Sequence, residues 1–295
     1  MKNLIYSFFI LALLVCAAHG QEKPTAFINA RIIPIVGQPI EQGIIIVQNG
    51  KITAVGDART VKLSSDVEQI DVSGKVIMPG LVDSHSHIGE PAGADGSSPI
   101  QPDVRILDSV NPRSGSIQRA QSGGITTANV MPGSGHLDSG QTLYLKLRDD
   151  AEKVEDLLIY GADGKYMGGI KFANGTNPMR SGGGTFPGTR GKSAALVREQ
   201  FIKAQEYRDK IKKAGNDQSK MPPRDLAMES LVEVLDGKRV VHFHTHRADD
   251  IMTILRLQRE FGFRLVLHHV SEGWKVADEI AKAKVPCSII LIDSP

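Results

Sequence analysis

The sequence predicts a (β/α)8 TIM-type barrel, incomplete at about seven strands, preceded by a small β-sandwich portion. Three observations predict it. A β-rich start carries a hairpin signal at Asn49-Gly50. From Lys75 onward, short apolar runs alternate with helix-length stretches. Histidines gather at the ends of three of those runs. The 295 residues suffice for a substantial buried core. Hydrophobic residues make up 41% and charged residues 23%, which argues against general disorder. Lys plus Arg is 35 and Asp plus Glu is 33, a surplus of +2, too small for a nucleic-acid footprint.

Residues 1–20 read as an address. Lys2 precedes an apolar run over residues 4–18, and Ala18-His19-Gly20 offers small residues before a cut. The expectation is a signal peptide and export to the periplasm or the extracellular space. A membrane anchor would need about 20 apolar residues. A lipoprotein would modify Cys16, but Val15 before it is bulkier than such sites usually carry. After cleavage only Cys287 remains, so no internal disulfide can form.

Residues 21–75 read as the β-sandwich portion, a small sandwich or a meander. Strand-like runs cover 26–35, 43–48 and 51–55, and Asn-Gly between the last two tolerates the positive φ of a two-residue hairpin. Residues 76–295 read as the barrel. Apolar runs at 76–82, 126–131, 169–172, 239–243, 264–267 and 285–292, with a weaker one at 157–161, supply strands. Helices are expected over 193–213, over 225–235 with Asp225 as N-cap and Gly237 past the end, over 249–261 stopping at Gly262, and from Ser271 to 284. Alternation of this kind implies parallel βαβ units.

The chemistry-bearing residues sit where strands end. In Asp83-Ser84-His85-Ser86-His87 the two imidazoles share one strand face, as chelation of one cation requires. Asp83 shares that face and could orient a ligand. Residues 240–246 place His242, His244 and His246 on one face of a second strand end. His268 and His269 end a third, and as neighbours in a strand they should face opposite ways, leaving one inward. Barrels gather their C-terminal strand ends at the active-site mouth, and imidazole suits Zn²⁺ and similar ions. Lys171 ends the middle strand. As an ammonium it would repel a cation, and it can serve only if carboxylated by CO₂. His136 lies in a glycine-rich loop and is a candidate substrate contact. Gly191-Lys192-Ser193 lacks the upstream glycine of a phosphate loop, because Phe186 stands there. The basic run 208–213 reads as a solvated helix face, and a glycan at the Asn174-Gly175-Thr176 sequon would obstruct Lys171.

The stretch Val76-Ile77-Met78-Pro79-Gly80-Leu81-Val82-Asp83-Ser84-His85-Ser86-His87 resembles the signature of the metal-dependent amidohydrolase superfamily. Residues 171–178 and 244–251 are most similar to imidazolonepropionase-like amidohydrolases. The resemblance implies a divalent metal centre of one or two ions, with zinc expected. It implies His85 and His87 on the more buried ion and His244 and His269 on a second, with His244 preferred over His242 and His246. A carboxylated Lys171 would bridge the ions, and His246 becomes a candidate substrate contact. It implies hydrolysis of non-peptide, amide or cyclic amide C–N bonds through a metal-activated water. The alternatives are a secreted Xaa-Pro metallo-dipeptidase and a non-catalytic metal-binding barrel.

The resemblance also implies an aspartate after an eighth strand, as the catalytic proton carrier. Only one helix-like stretch separates His269 from Asp293, so Asp293 reads as a strand-seven residue. On this reading the sequence is a fragment and the expected aspartate lies beyond its end. The partner expected is a small-molecule substrate, with no nucleic acid and no membrane after signal cleavage. Assembly into a homo-oligomer is left open.

Overall fold

The computed structural model describes residues 23–91, 95–180 and 184–290. The expected signal peptide and Asp293 lie outside the described residues. The chain forms two compact units, Met1–Pro79 and Gly80–Pro295.

The first unit is one five-stranded sheet of β1 (Thr25–Ile32), β2 (Ile40–Gln48), β3 (Lys51–Asp57), β4 (Glu68–Asp71) and β5 (Val76–Ile77). Antiparallel β2 and β3 meet at Asn49-Gly50, whose φ values of 51° and 69° make the turn a left-handed pair, as expected. β4 and β5 pair in succession with the same edge of β1. Ala30, Ile32 and Ile45 form its small core.

The second unit contains β6 (Leu81–Ser86), α1 (Gly115–Ser122), β7 (Ile125–Val130), β8 (Asp138–Gln141), β9 (Leu143–Lys146), β10 (Gly169–Ala173), α2 (Arg190–Ala214), α3 (Leu226–Leu235), β11 (Val240–Thr245), α4 (Ala248–Phe261), β12 (Leu265–His269), α5 (Ala277–Ala283) and β13 (Cys287–Ile289). β6 and β7 run parallel, as do β10, β11, β12 and β13. These are the parallel βαβ strands of a barrel wall. The local stops read from sequence are present. Asp225 accepts from Met228 N at the start of α3, and Gly262 closes α4 at φ 75°.

Two features between β7 and β10 depart from the expectation. The weak strand at 157–161 is instead the end of a 3-10 turn, Val154–Leu157, followed by isolated bridges. Between β7 and β10 the chain runs antiparallel: β8 pairs with β10, and β9 pairs with β7. Only Thr142 separates β8 from β9, so one bent ribbon joins the two sheets into a single curved wall. Gly140 at φ 105° permits the bend.

The wall has two faces of opposite chemistry because strand side chains alternate. Ile170, Phe172, Val241, Phe243, Leu265 and Leu267 point into the main hydrophobic core with α2, α3 and α4. Phe201 stacks on Phe172, Phe261 and Phe263 there, at 5.9, 5.1 and 5.1 Å. Lys171, His242, His244 and His268 occupy the other face. Across that interior β6 meets β12, with His85 Nδ1 2.9 Å from His268 Nδ1, and at an exposed position Ser84 Oγ lies 2.8 Å from Ser288 Oγ on β13.

A Cβ on Gly140 would overlap the Val104 carbonyl oxygen and force an L-residue into that φ. Gly140→Ala is therefore expected to cost about 1–3 kcal/mol in urea denaturation. Gly164→Ala, with φ 73° and open space at its Cβ, should cost about 1 kcal/mol.

Candidate metal centre

His85 lies near the end of β6 and His87 just past it, and the Asp83 carboxylate accepts from the His85 backbone N–H at 3.1 Å, fixing the strand end. His87 Nδ1 lies 2.7 Å from the Met131 carbonyl after β7. The carbonyl can only accept, so His87 Nδ1 carries the proton and Nε2 keeps its lone pair. β10 delivers Lys171, which is fully buried, with Nζ 3.4 Å from His85 Nε2 and 3.0 Å from Met131 Sδ. β11 delivers His242 and His244, and β12 delivers His268 and His269.

The structure brings five of the predicted residues together. The His85 ring is centred 5.1 Å from His87 and 4.7 Å from His269, and His269 is 4.4 Å from His244. His246 joins this group, 4.7 Å from His244 and stacked on His269 at 5.0 Å. Nitrogens of His244, His246 and His269 lie within 4.8 Å of one another, close enough to hold one cation. His246 Nδ1 is 2.7 Å from Ser271 Oγ, which sets the ring's orientation. His136 is elsewhere, buried in a T-shaped contact with Phe186 at 5.2 Å.

The expectation that His268 and His269 face opposite ways is corrected. Both turn inward, because His269 at φ 71° and Val270 at φ 58° leave the extended conformation. The alternation rule holds only while the backbone is extended. Left-handed backbone at a β-branched valine is strained, and Val270 N–H to Thr245 O at 2.9 Å helps to hold it.

Residues that the sequence reading passed over complete the interior. His268 Nδ1 lies 2.9 Å from His85 Nδ1, and His268 Nε2 lies 2.9 Å from His242 Nδ1. Tyr144 on β9 places its hydroxyl 2.9 Å from His242 Nε2. Asn177 Nδ2 lies 3.0 Å from His244 Nε2. Asn177 belongs to the segment 171–178 that carried the family resemblance, so its position was readable though its contact was not.

Burial dominates the electrostatics. It pushes the Lys171 amine down to about 7. Burial, reinforced by neighbouring positive groups, takes His242 to about 3 and His244 and His268 to about 2. His85 falls well below its ordinary range for the same reasons. The rings are therefore neutral at pH 7 and retain lone pairs. His244 Nδ1 is buried with no hydrogen-bond partner among the described residues. A neutral donor set with an orphaned ring nitrogen suits a divalent cation.

Comparison with known proteins agrees. No family model matches the chain. The solved structure of an amidohydrolase from Thermotoga maritima MSB8 superposes with a TM-score of 0.82 at 34% identity, covering 90% of this chain and 70% of that one. The chain belongs to the metal-dependent amidohydrolase superfamily. Amidohydrolase tasK of Hapsidospora irregularis is 26% identical over 88% of this chain, which spans 30% of that relative's length. An imidazolonepropionase of Rhizobium rhizogenes is 40% identical over 65 residues, 21% of this chain. Use of a metal is general to this superfamily, and the chain contains a histidine cluster, His244, His246 and His269, whose ring nitrogens could hold an ion.

His242, His244 and His268 have native pKa values below 6.5, the usual value in an unfolded chain. The unfolded state therefore binds more protons as pH falls through 6.5, and the metal-free protein must lose stability. Stability should decline by about 1.4 kcal/mol per pH unit for each of these rings below that point. Denaturant titrations at pH 7.5, 6.5 and 5.5 measure it, and a flat profile would contradict neutral burial.

Proposed function

We propose that the protein hydrolyses a non-peptide C–N bond, in an amide or cyclic amide, at a zinc-type divalent centre. The convergence of His85, His87, Lys171, His244 and His269 carries this reading. A bound divalent ion would supply a water acidified to about pKa 7 and polarisation of the substrate carbonyl. His85 and His87 would hold one ion, and His244 and His269 a second. His246 at the rim and Asn177 beside His244 would contact substrate. His136 has contacts with Phe186 rather than with the histidine cluster, so its part would be confined to loop structure or the substrate's far end. No described residue is assigned as the proton carrier to the leaving nitrogen.

Lys171 supports the two-ion form of the proposal. A fully buried amine near 7 is largely uncharged at pH 8. Its lone pair can add to CO₂, forming an N–C bond and releasing the amine proton to give a carbamate. That anion could bridge two cations, where the ammonium would repel them. The expected loss in Lys171→Ala is one metal equivalent, partly restored by short carboxylates. His85→Ala with His87→Ala should remove the Zn, Mn or Fe ion that this pair holds, read by elemental analysis. Unchanged metal content in both variants would refute the centre. A panel of amides, cyclic amides and Xaa-Pro dipeptides then separates the activities, and metal binding without turnover of any would favour the non-catalytic barrel.

Residues 1–20 support export. The mature protein recovered from periplasm or medium is expected to begin at Gln21, and an intact N-terminus in the cytoplasm would overturn this. No helix among the described residues is long and apolar enough to cross a membrane.

A further inference from the structure

Behind the candidate ligands lies a row of hydrogen bonds that the hydrolytic reading does not use. It runs from His85 Nδ1 to His268 Nδ1 at 2.9 Å, from His268 Nε2 to His242 Nδ1 at 2.9 Å, and from His242 Nε2 to the Tyr144 hydroxyl at 2.9 Å. Every nitrogen of both bridging rings is engaged. His268 is fully buried and His242 is 5% exposed, so neither ring exchanges its partner for bulk water. Tyr144 is half-buried and lines a cleft with Tyr160, Arg239 and Arg264.

A neutral imidazole has one N–H and one lone pair. Burial disfavours the imidazolium, which would have two N–H groups. Each N···N link must then contain one proton, and the row has only two consistent polarities. In the first, His85 Nδ1–H donates to His268 Nδ1, His268 Nε2–H donates to His242 Nδ1, and His242 Nε2–H donates to the tyrosine oxygen. His85 Nε2 then keeps a lone pair, on the side that faces Lys171 Nζ at 3.4 Å. In the second, Tyr144 donates and every proton is reversed. His85 Nε2 then bears a hydrogen and cannot ligate.

We propose that His242 and His268 are positioning residues, which with Tyr144 set the tautomer of His85 and so couple cation binding to the proton order of the whole row. The inference rests on the reading of His85 as a metal ligand. It assigns His242 and His268 a duty distinct from ligation: ring nitrogens that hydrogen-bond each other are not free for a metal. The seat of His242 fits this duty. A Cβ on Gly169 would overlap His242 Cδ2, so glycine leaves the room that the ring occupies. Asn129 Nδ2 lies 3.4 and 3.3 Å from the two nitrogens of His242, against the ring rather than in line with either. It therefore closes the seat without deciding the polarity. Metal-bound histidines commonly donate their second N–H to a carboxylate or carbonyl, which can accept only and so fixes one tautomer outright. His87 is arranged in that way, on the Met131 carbonyl. His85 is not, because an imidazole can accept or donate, and its tautomer is decided three links away.

The test is Zn²⁺ titration of the metal-free protein against a chromophoric chelator, with nitrogen-15 NMR of labelled histidines before and after loading. His268→Leu removes the acceptor for His85 and should weaken Zn²⁺ binding about 10- to 100-fold. His268→Gln offers an amide oxygen to His85 and an amide N–H to His242, and should recover most of that loss. Loaded wild-type protein should show His85 as the Nδ1–H tautomer and His242 and His268 as Nε2–H tautomers. Binding by His268→Leu within twofold of wild type, or Nδ1–H on His242 or His268 after loading, would overturn the inference. The NMR result stands even if a variant fails to fold. His85→Ala separates the two levels: unchanged affinity there refutes His85 as a ligand, whereas weakened affinity with an unaffected His268→Leu refutes only the row.

Discussion

Lys171, His242, His244 and His268 are buried bases: burial alone holds the lysine amine down, and burial together with the neighbouring lysine holds the three rings down. The rest of the second unit depends on that constraint. Charging any one of these groups would place an uncompensated cation in a poorly solvated interior, at a cost of several kcal/mol. Neutrality is the cheaper state, and neutral nitrogen bases are metal ligands. The interior that would be a liability in a metal-free protein is suited to one that carries a cation.

The wall that holds these groups is stable because its other face is hydrocarbon. Ile170 and Phe172 flank Lys171, and Val241 and Phe243 alternate with His242 and His244. Each strand is anchored by its outward residues in the core beneath α2, α3 and α4, which keeps the inward nitrogens at fixed separations. The bent ribbon β8–β9 does a second service. Besides joining the sheets, it carries Tyr144 to His242, a contact that a purely parallel wall would have to supply from another strand. The α2 and α4 starts are tied by Arg190 to Asp250 at 3.0 and 3.1 Å, and Asn174 donates to the Asp250 carbonyl at 3.0 Å, which holds the loop after β10 beside the centre.

Local features were legible in the sequence because their causes are local. Asn49-Gly50 turns where both residues tolerate positive φ, Asp225 caps α3, and Gly262 ends α4. His85 and His87 were legible as a pair for the same reason: two residues apart in an extended strand is a fixed geometry. The ribbon β8–β9 was not legible. Its strands are short, Asp138-Ser139-Gly140-Gln141 has no apolar period, and its pairing partners are distant in the chain. Helix α1 was missed because Gly115-Ser116 opens it and its buried apolar content is Ile117 alone. The inward turn of His269 was missed because it depends on two left-handed residues, one of them a valine that local preference would never place there.

By itself the sequence determined the strand-and-helix rhythm, the superfamily signature and which side chains are candidate ligands, since spacing within one strand decides which residues share a face. Only the tertiary structure decided which nitrogen meets which. His85 and His268 are 183 positions apart and 2.9 Å from each other, and nothing in either segment encodes that distance. It follows from closing β6 onto β12 across a common interior, where packing of the outer face, rather than any preference of the histidines, sets the separation.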